Sequence, residues 1–505
     1  PLVMPIKDPF GESSPLLSGS SSRQDDGDEG CLRLCFISWR LILLVILVCG
    51  IAMTFCDRTL LSIGAGPELK ETPLAVSTSA LLTFYAGCML TSFPGGRLAE
   101  IYGGKLVMVY GVLVWAVANI ALAFGGTHEA ALIPLRGIAG LAQGVIFPAT
   151  FHMISAWFPE GERTSSVAAS LCGVDIGIYI TMLNMPAFLP ESEIDDSKNV
   201  ETVVDGGGDD GFFSQLASTL VESAGDNDDD GGALGLSAWA VHSVVLGVIG
   251  LGWCATAGSL TSSTPEWHPR ISLPEVQFIT KGRKQSMALI HTAESSAAPY
   301  NWQLLLRHPA LLTIYFTHAA ASLVFYTTLL SFPVLCSSGF GLSITAVAPY
   351  MTLPCAASVT ASLLGGFLCD RAIASGRASR RDVRVRATTL GLLAPALALP
   401  AVKLCAPNAP LALGVLTLAA AGAGVGPKAG WLANVLDLAP NHAGLVTGIA
   451  SAAEIAAAIC VTGVVAWCGG AAAETISGWA WAVCSGLILC AVCAVFSVGC
   501  SDDAL

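Results

Sequence analysis

Six ionisable residues interrupt stretches that are otherwise apolar: the neighbours Asp57 and Arg58, then Arg136, Asp175, Lys428 and Glu454. A charge among apolar side chains at mid-membrane costs roughly 2.5–3.5 kcal/mol on insertion scales, and is kept only where it faces a cavity or a partner. A carboxylate in such a place can load and release a proton as its surroundings change, which makes Asp57, Asp175 and Glu454 candidates for ion coupling. Arginine stays charged and presents a planar fork that matches a carboxylate or a phosphate. Arg58 and Arg136 are therefore candidates for holding an anion, with an interhelical ion pair as the competing role. Neighbouring residues on a helix point about 100° apart, so Asp57 and Arg58 do not simply neutralise each other. Lys428 follows Gly426-Pro427, a pair that breaks a helix, and it snorkels, pairs or contacts a substrate.

The elements that position these groups read as membrane helices. Of the 505 residues, 53% are hydrophobic and only 12% charged, and the mean hydropathy is +0.67. Typical soluble domains carry roughly 25% charged residues, so the solvent of this chain is lipid. Apolar runs fall at 41–63, 76–96, 105–125, 131–155, 164–189, 237–258, 309–332, 344–369, 387–403, 410–434, 443–466 and 478–499. Each is close to the roughly 20 residues that a spanning helix needs. A glycine motif with charges is written twice between such runs, as Gly95-Gly96-Arg97-Leu98-Ala99-Glu100 and as Gly365-Gly366-Phe367-Leu368-Cys369-Asp370-Arg371. Paired echoes of this kind mark an internally duplicated carrier. The expectation is a tight loop at each copy, with Gly96, Glu100, Asp370 and Arg371 acting as gates.

The predicted organisation is a tail over 1–40, a six-helix half over 41–258, a linker over 259–308, a second six-helix half over 309–499 and a short tail over 500–505. Of the 24 Lys and Arg, Arg58, Arg136 and Lys428 lie in the interior of the runs, and of those at run ends or between runs only Lys70, Lys198 and Lys403 fall on the expected outer side, which leaves 18 on the other side. That bias predicts both termini in the cytosol. The net charge of −13 comes largely from residues 8–29 and 191–230, so it says little about a substrate. Residues 190–236, with Asp195-Asp196 and the run Asp226 to Asp230, have the composition of a loose acidic loop on the outer or luminal side. In the linker, Arg270, Lys281, Arg283 and Lys284 face anionic lipid.

The 17 cysteines are scattered through apolar runs and read as packing residues. No metal-ligand cluster, phosphate loop or nucleophile motif stands at usable spacing, so neither an enzyme, a bound cofactor nor a nucleic-acid partner is expected. The tail holds Glu12-Ser13-Ser14-Pro15-Leu16-Leu17. An acidic residue ahead of two leucines, here Glu12 with Leu16 and Leu17, has the form read by sorting adaptors and points to a lysosome or vacuole.

Three stretches carry a resemblance: Asp57-Arg58-Thr59-Leu60-Leu61-Ser62-Ile63, the run Arg136-Gly137-Ile138-Ala139-Gly140-Leu141-Ala142-Gln143-Gly144 continuing to Pro148-Ala149, and Trp157-Phe158-Pro159-Glu160-Gly161-Glu162-Arg163. They resemble the anion:cation symporters of the major facilitator superfamily, the group of sialin, the vesicular glutamate transporters, sodium–phosphate cotransporters and sugar-acid symporters. Pro265-Glu266-Trp267-His268-Pro269-Arg270, Phe325-Tyr326 and Asn434-Val435-Leu436-Asp437 extend the similarity. The resemblance implies an all-α membrane protein of twelve transmembrane helices in two pseudo-symmetric six-helix halves. It also implies a small anionic substrate bound by Arg58, Arg136, Tyr326 and Asn434, with Asp57 as a coupling or gating carboxylate. Three positions depart from the family pattern. Gln143 replaces the acidic residue seven places after the arginine, Phe151 precedes His152 where some members carry histidine, and Ala321 stands where glutamate-specific members carry arginine. The expected function is transport of an organic anion such as a sialic or sugar acid, coupled to protons through Asp57, Asp175 or Glu454. The rivals are sodium-driven phosphate transport and a receptor that senses without carrying.

Overall fold

The computed structural model describes residues 38–63, 74–125, 129–184, 238–280, 302–334, 347–405, 408–468 and 479–501, and every regular element among them is helical. Glu12, Leu16 and Leu17, the acidic stretch 190–236 and linker positions 281–301 lie outside these residues. The first half comprises α1 (Trp39–Ile63), α2 (Leu74–Tyr102), α3 (Gly104–Gly125), α4 (Glu129–Gly144), α5 (Ile146–Trp157), α6 (Arg163–Asn184) and α7 (Ala238–Leu260). Two linker helices follow, α8 (Leu273–Thr280) and α9 (Trp302–Arg307). The second half comprises α10 (Pro309–Val334), α11 (Val347–Ala374), α12 (Arg380–Cys405), α13 (Ala409–Val425), a π-helical segment (Gly426–Trp431), α14 (Leu432–Leu438), α15 (Ala443–Cys468) and α16 (Trp479–Gly499). α4 continues into α5, and α13 runs through the π segment into α14, so the sixteen labels make twelve spans and two linker helices.

Ten of the spans are long and apolar enough to cross a membrane by length and composition, and α2 and α16 complete the twelve. Helices are the form such a sequence must take, because backbone donors and acceptors in lipid have to be satisfied within their own segment. Proline inside α2, α4, α11 and α12 is tolerated for the same reason, since neighbouring helices repair the local loss. The halves meet through α2 against α15 and through α6 against α11. These two contacts exchange under the six-helix repeat, as pseudo-symmetry requires.

The repeated glycine motif departs from the sequence expectation. Gly95 and Gly96 lie within α2, and Gly365 and Gly366 within α11. The turns come later, at Gly103 (φ 86°) and Gly376 (φ 68°), where only glycine adopts the left-handed backbone at low cost. Gly96 and Gly366 instead allow close helix crossings between the halves. A Cβ at Gly96 would meet the backbone of Gly444 and Leu445, and one at Gly366 would lie 2.8 Å from the Ala168 Cβ and 3.1 Å from the Ser165 Cα. Small residues at helix interfaces commonly serve this purpose in membranes.

The start of the linker is tied to the first half. Trp39 Nε1 donates to the Arg270 carbonyl (2.9 Å), Trp157 Nε1 donates to the Ser262 carbonyl (3.0 Å), and Arg40 pairs with Glu162 and Glu275. This edge of the bundle is called the linker end below.

Candidate functional site

A cavity of about 310 Å³ lies in the middle of the bundle, walled by α1, α5 and α6 from the first half and by α10 to α15 and α16 from the second. Around it the buried charges form three clusters.

The first cluster lies inside the first half. The Asp57 carboxylate on α1 accepts three bonds, from Arg136 NH1 at 2.8 Å, Gln143 Nε2 at 2.8 Å and Trp115 Nε1 at 3.0 Å. Gln143 in turn accepts from Arg58 Nε through its Oε1 at 2.9 Å. An amide can donate to a carboxylate and accept from a guanidinium at once, whereas an ionised carboxylate in its place could only accept. Gln143, which breaks the family pattern, is therefore the bridge between Asp57 and Arg58. The Arg58 guanidinium also lies 5.1 Å from the Phe55 ring centroid and 6.0 Å from that of Phe84, within electrostatic reach of Tyr326 and Glu454 across the halves. Arg136 is wholly buried in its pair with Asp57. Neither arginine lines the cavity; Phe55 stands between it and Arg58.

The second cluster centres on Glu454 of α15. Its carboxylate accepts from Tyr326 OH at 3.1 Å and pairs with His318 Nε2 at 3.1 Å, both on α10. Trp431 Nε1 donates to His318 Nδ1 at 3.2 Å. An indole N–H can only donate, so Nδ1 carries no hydrogen, and the ring hydrogen sits on Nε2, aimed at Glu454. His318 is thereby oriented with Nε2 as the donor and Glu454 as the acceptor. His318, Trp431 and Glu454 all line the cavity.

In the third cluster, Asp175 on α6 pairs across the halves with Lys428 on the π segment. Ser358 Oγ donates to Asp175 at 2.9 Å, and Lys428 donates to Ser362 Oγ at 2.9 Å. Gly430 in that segment has non-helical backbone (φ −93°, ψ −111°), and the wider turn brings Lys428 to the cavity wall. Single-turn π segments frequently occur at functional sites.

The linker end is closed by a separate set of bonds between the halves. Asp370 on α11 caps α6, accepting from Thr164 N (3.2 Å), Ser165 N (2.7 Å) and Ser165 Oγ (2.6 Å). Glu100 accepts from Arg97 at 2.8 Å and pairs with His442 at 3.0 Å. Burial pushes the Glu100 carboxyl up, but its bonds to His442 and Arg97 outweigh this and hold it below the usual carboxylate range. Arg384 joins Asp437 at 2.6 Å and reaches across to Thr164 Oγ1 at 3.0 Å, and Arg380 pairs with Glu160 at 2.6 Å. Arg371 lies over the Phe367 ring, apart from the Asp370 cap. Asn434 is fully buried near Cys500 and does not line the cavity.

His318 and Arg384 escaped the sequence reading. A single histidine in the apolar run 309–332 was the available signal for the first. Arg384 lies outside the apolar run 387–403, whereas α12 begins at Arg380 and carries it into the bundle.

Two six-helix halves around a cavity with paired charges on its wall define a membrane transporter. The chain belongs to the Major Facilitator Superfamily, whose family model matches residues 42–192 and 231–460. Among curated relatives, "Probable anion transporter 3, chloroplastic" of Arabidopsis thaliana is 24% identical over 426 residues, which are 84% of this chain and 73% of that protein. Human sialin is 25% identical over 318 residues, covering 63% of this chain and 54% of sialin. Both fall in the anion-transporter group that the sequence motifs resemble. In fold, the chain is similar to the proton:xylose symporter XylE, with a TM-score of 0.65 at 12% identity, covering 90% of this chain and 94% of that one.

Proposed function

We propose that this transporter carries a small organic anion with a carboxylate, by alternating access of its central cavity and in company with a proton. The observation that carries the reading is the charge balance around the cavity. Asp57, Asp175 and Glu454 supply three carboxylates, and Arg58, Arg136 and Lys428 supply three fixed cations, with His318 bonded to Glu454 through Nε2. An anion entering this neutral, poorly solvated centre leaves it one negative charge in excess, which a medium of low dielectric resists. A proton taken up on a wall carboxylate restores the balance. Glu454 is the best placed of the three, because it lines the cavity without a fixed cation bonded to it, whereas Asp57 is saturated by donors within its own half and Asp175 is paired with Lys428 in the unloaded cavity. Arg58 and Arg136 contribute the positive field of the first half, Arg136 by orienting Asp57, and Tyr326 positions the coupling carboxylate.

The close crossing at Gly96 and the linker-end bonds of Glu100 and Asp370 act as the gate that opens when the cavity changes sides. The acidic-dileucine form at Glu12, Leu16 and Leu17 supports a lysosomal or vacuolar membrane reached through sorting adaptors, and the 18 cations gathered on one side support cytosolic termini. The test is uptake by the purified chain in liposomes of sialic acid, glucuronate, gluconate, glutamate and phosphate, with a pH gradient and then with sodium. Carboxylate flux that rises with the proton gradient is expected. Sodium-driven phosphate uptake without carboxylate flux would overturn the reading, and ligand-induced change without any flux would replace it by a receptor.

A further inference from the structure

Lys428 is the one fixed cation on the cavity wall among the described residues, and its charge is met by a carboxylate that belongs to the other half, Asp175. The rest of that wall is apolar over most of its extent, with Phe55, Phe147, Leu171, Phe325, Leu392 and Leu416 among its residues. Its polar groups are largely committed. Ser358 donates to Asp175, Thr328 donates to the Val324 carbonyl, and His318 is held between Glu454 and Trp431.

We infer that Lys428 is the docking point for the substrate's anionic group, that Asp175 is a resident stand-in which this group displaces, and that the substrate is a monocarboxylate with an apolar body. The inference rests on the reading of the cavity as an organic-anion site and names the substrate class. Three features support it. The Asp175 side chain is more exposed than that of Lys428, 18% against 6%, so the carboxylate is the partner with room to leave. Ser362 stays bonded to Lys428 Nζ from behind and keeps the ammonium aimed at the wall when Asp175 departs. A hydroxyl-rich solute would surrender its bonds to water and find few free partners here, whereas an aromatic or aliphatic body replaces water at no such loss. Displacement of Asp175 also breaks the one ion pair that spans the halves at cavity depth among the described residues, so binding itself loosens the contact that must open.

The experiment measures equilibrium binding of labelled 4-phenylbutyrate and labelled gluconate to the full chain in nanodiscs, which avoids passive leakage of the acid. Phenylbutyrate is expected to bind at least about tenfold more tightly than gluconate, a discrimination that apolar pockets routinely achieve. Lys428→Gln should lose that binding, Lys428→Arg should keep most of it, and Asp175→Asn should tighten it severalfold because the internal competitor is gone. Asp175→Asn needs no unpaired carboxylate to be buried, so it remains informative if Lys428→Gln misfolds. Equal or tighter binding of gluconate overturns the apolar substrate and leaves an organic-anion transporter standing. Phenylbutyrate binding unchanged in Lys428→Gln, or weakened in Asp175→Asn, overturns the docking point. Binding of neither carboxylate by a preparation that takes up phosphate with sodium would remove the organic-anion reading itself.

Discussion

Replacing Glu454 by glutamine removes the carboxylate assigned to the proton and little else. The amide oxygen still accepts one of the two bonds that Tyr326 OH and His318 Nε2 now make at 3.1 Å. One carboxylate takes one proton, so a monoanion moving with it crosses without net charge, and its accumulation follows the pH difference decade for decade. A gradient of about two units then supports about hundredfold accumulation, equivalent to about 2.7 kcal/mol. In Glu454→Gln the three cations face two carboxylates, the anion balances the excess charge by itself, and no proton need accompany it. Vesicles with an alkaline interior should show a slope near one for log accumulation against the pH difference in the unmodified protein, and near zero in the variant. Exchange of labelled for unlabelled anion at equal pH should survive the substitution. A variant that still accumulates its anion with a slope near one would refute the assignment and move the proton elsewhere.

Arg384→Ala leaves Asp437 as a buried carboxylate without its partner, and should lower stability by about 3–5 kcal/mol, visible as a fall in Tm; Asp437→Asn in the same chain should recover part of the loss. Gly96→Ala presses a methyl group into the Gly444–Leu445 backbone, and should cost the closed linker end about 1–3 kcal/mol, read as greater labelling of cysteines introduced at that end. The Glu100 carboxyl sits below its ordinary range in the folded chain, so its contribution is complete above the unfolded value of about 4.3 and is lost as pH falls through the lower folded value. Labelling at the linker end should therefore rise only below about pH 4, and Glu100→Gln should remove that acid step.

The twelve spans and the duplication were legible because lipid imposes one periodicity and one length on every helix that crosses it. The six charges read as candidates all lie in the bundle for the same reason, since a charge in an apolar run is conspicuous whatever surrounds it. Their partners were not legible. Glu454 meets His318 from 136 positions away, and Asp175 meets Lys428 from 253, pairings that only the packing of separate helices decides. The glycine motif misled because Gly-Gly with nearby charges reads as a turn by local rules, whereas a close crossing with another helix is a tertiary fact. Gln143 shows the opposite case. Its amide looked like the loss of an acid, yet it gains a meaning once Asp57 and Arg58 are seen on either side of it.

Asp370 caps a helix in the half to which it does not belong. A cap is worth about 1 kcal/mol, and exposed ion pairs such as Arg380–Glu160 are worth no more. The linker end is thus held by several weak, simultaneous bonds rather than one strong one, and each separated donor can be taken over by water as the end opens. Closed and open bundles then differ in population by a few powers of ten at most, at about 1.4 kcal/mol for each. Within so shallow a landscape, the proposed gain or loss of a single charge at the centre would be enough to decide which side of the membrane the cavity faces.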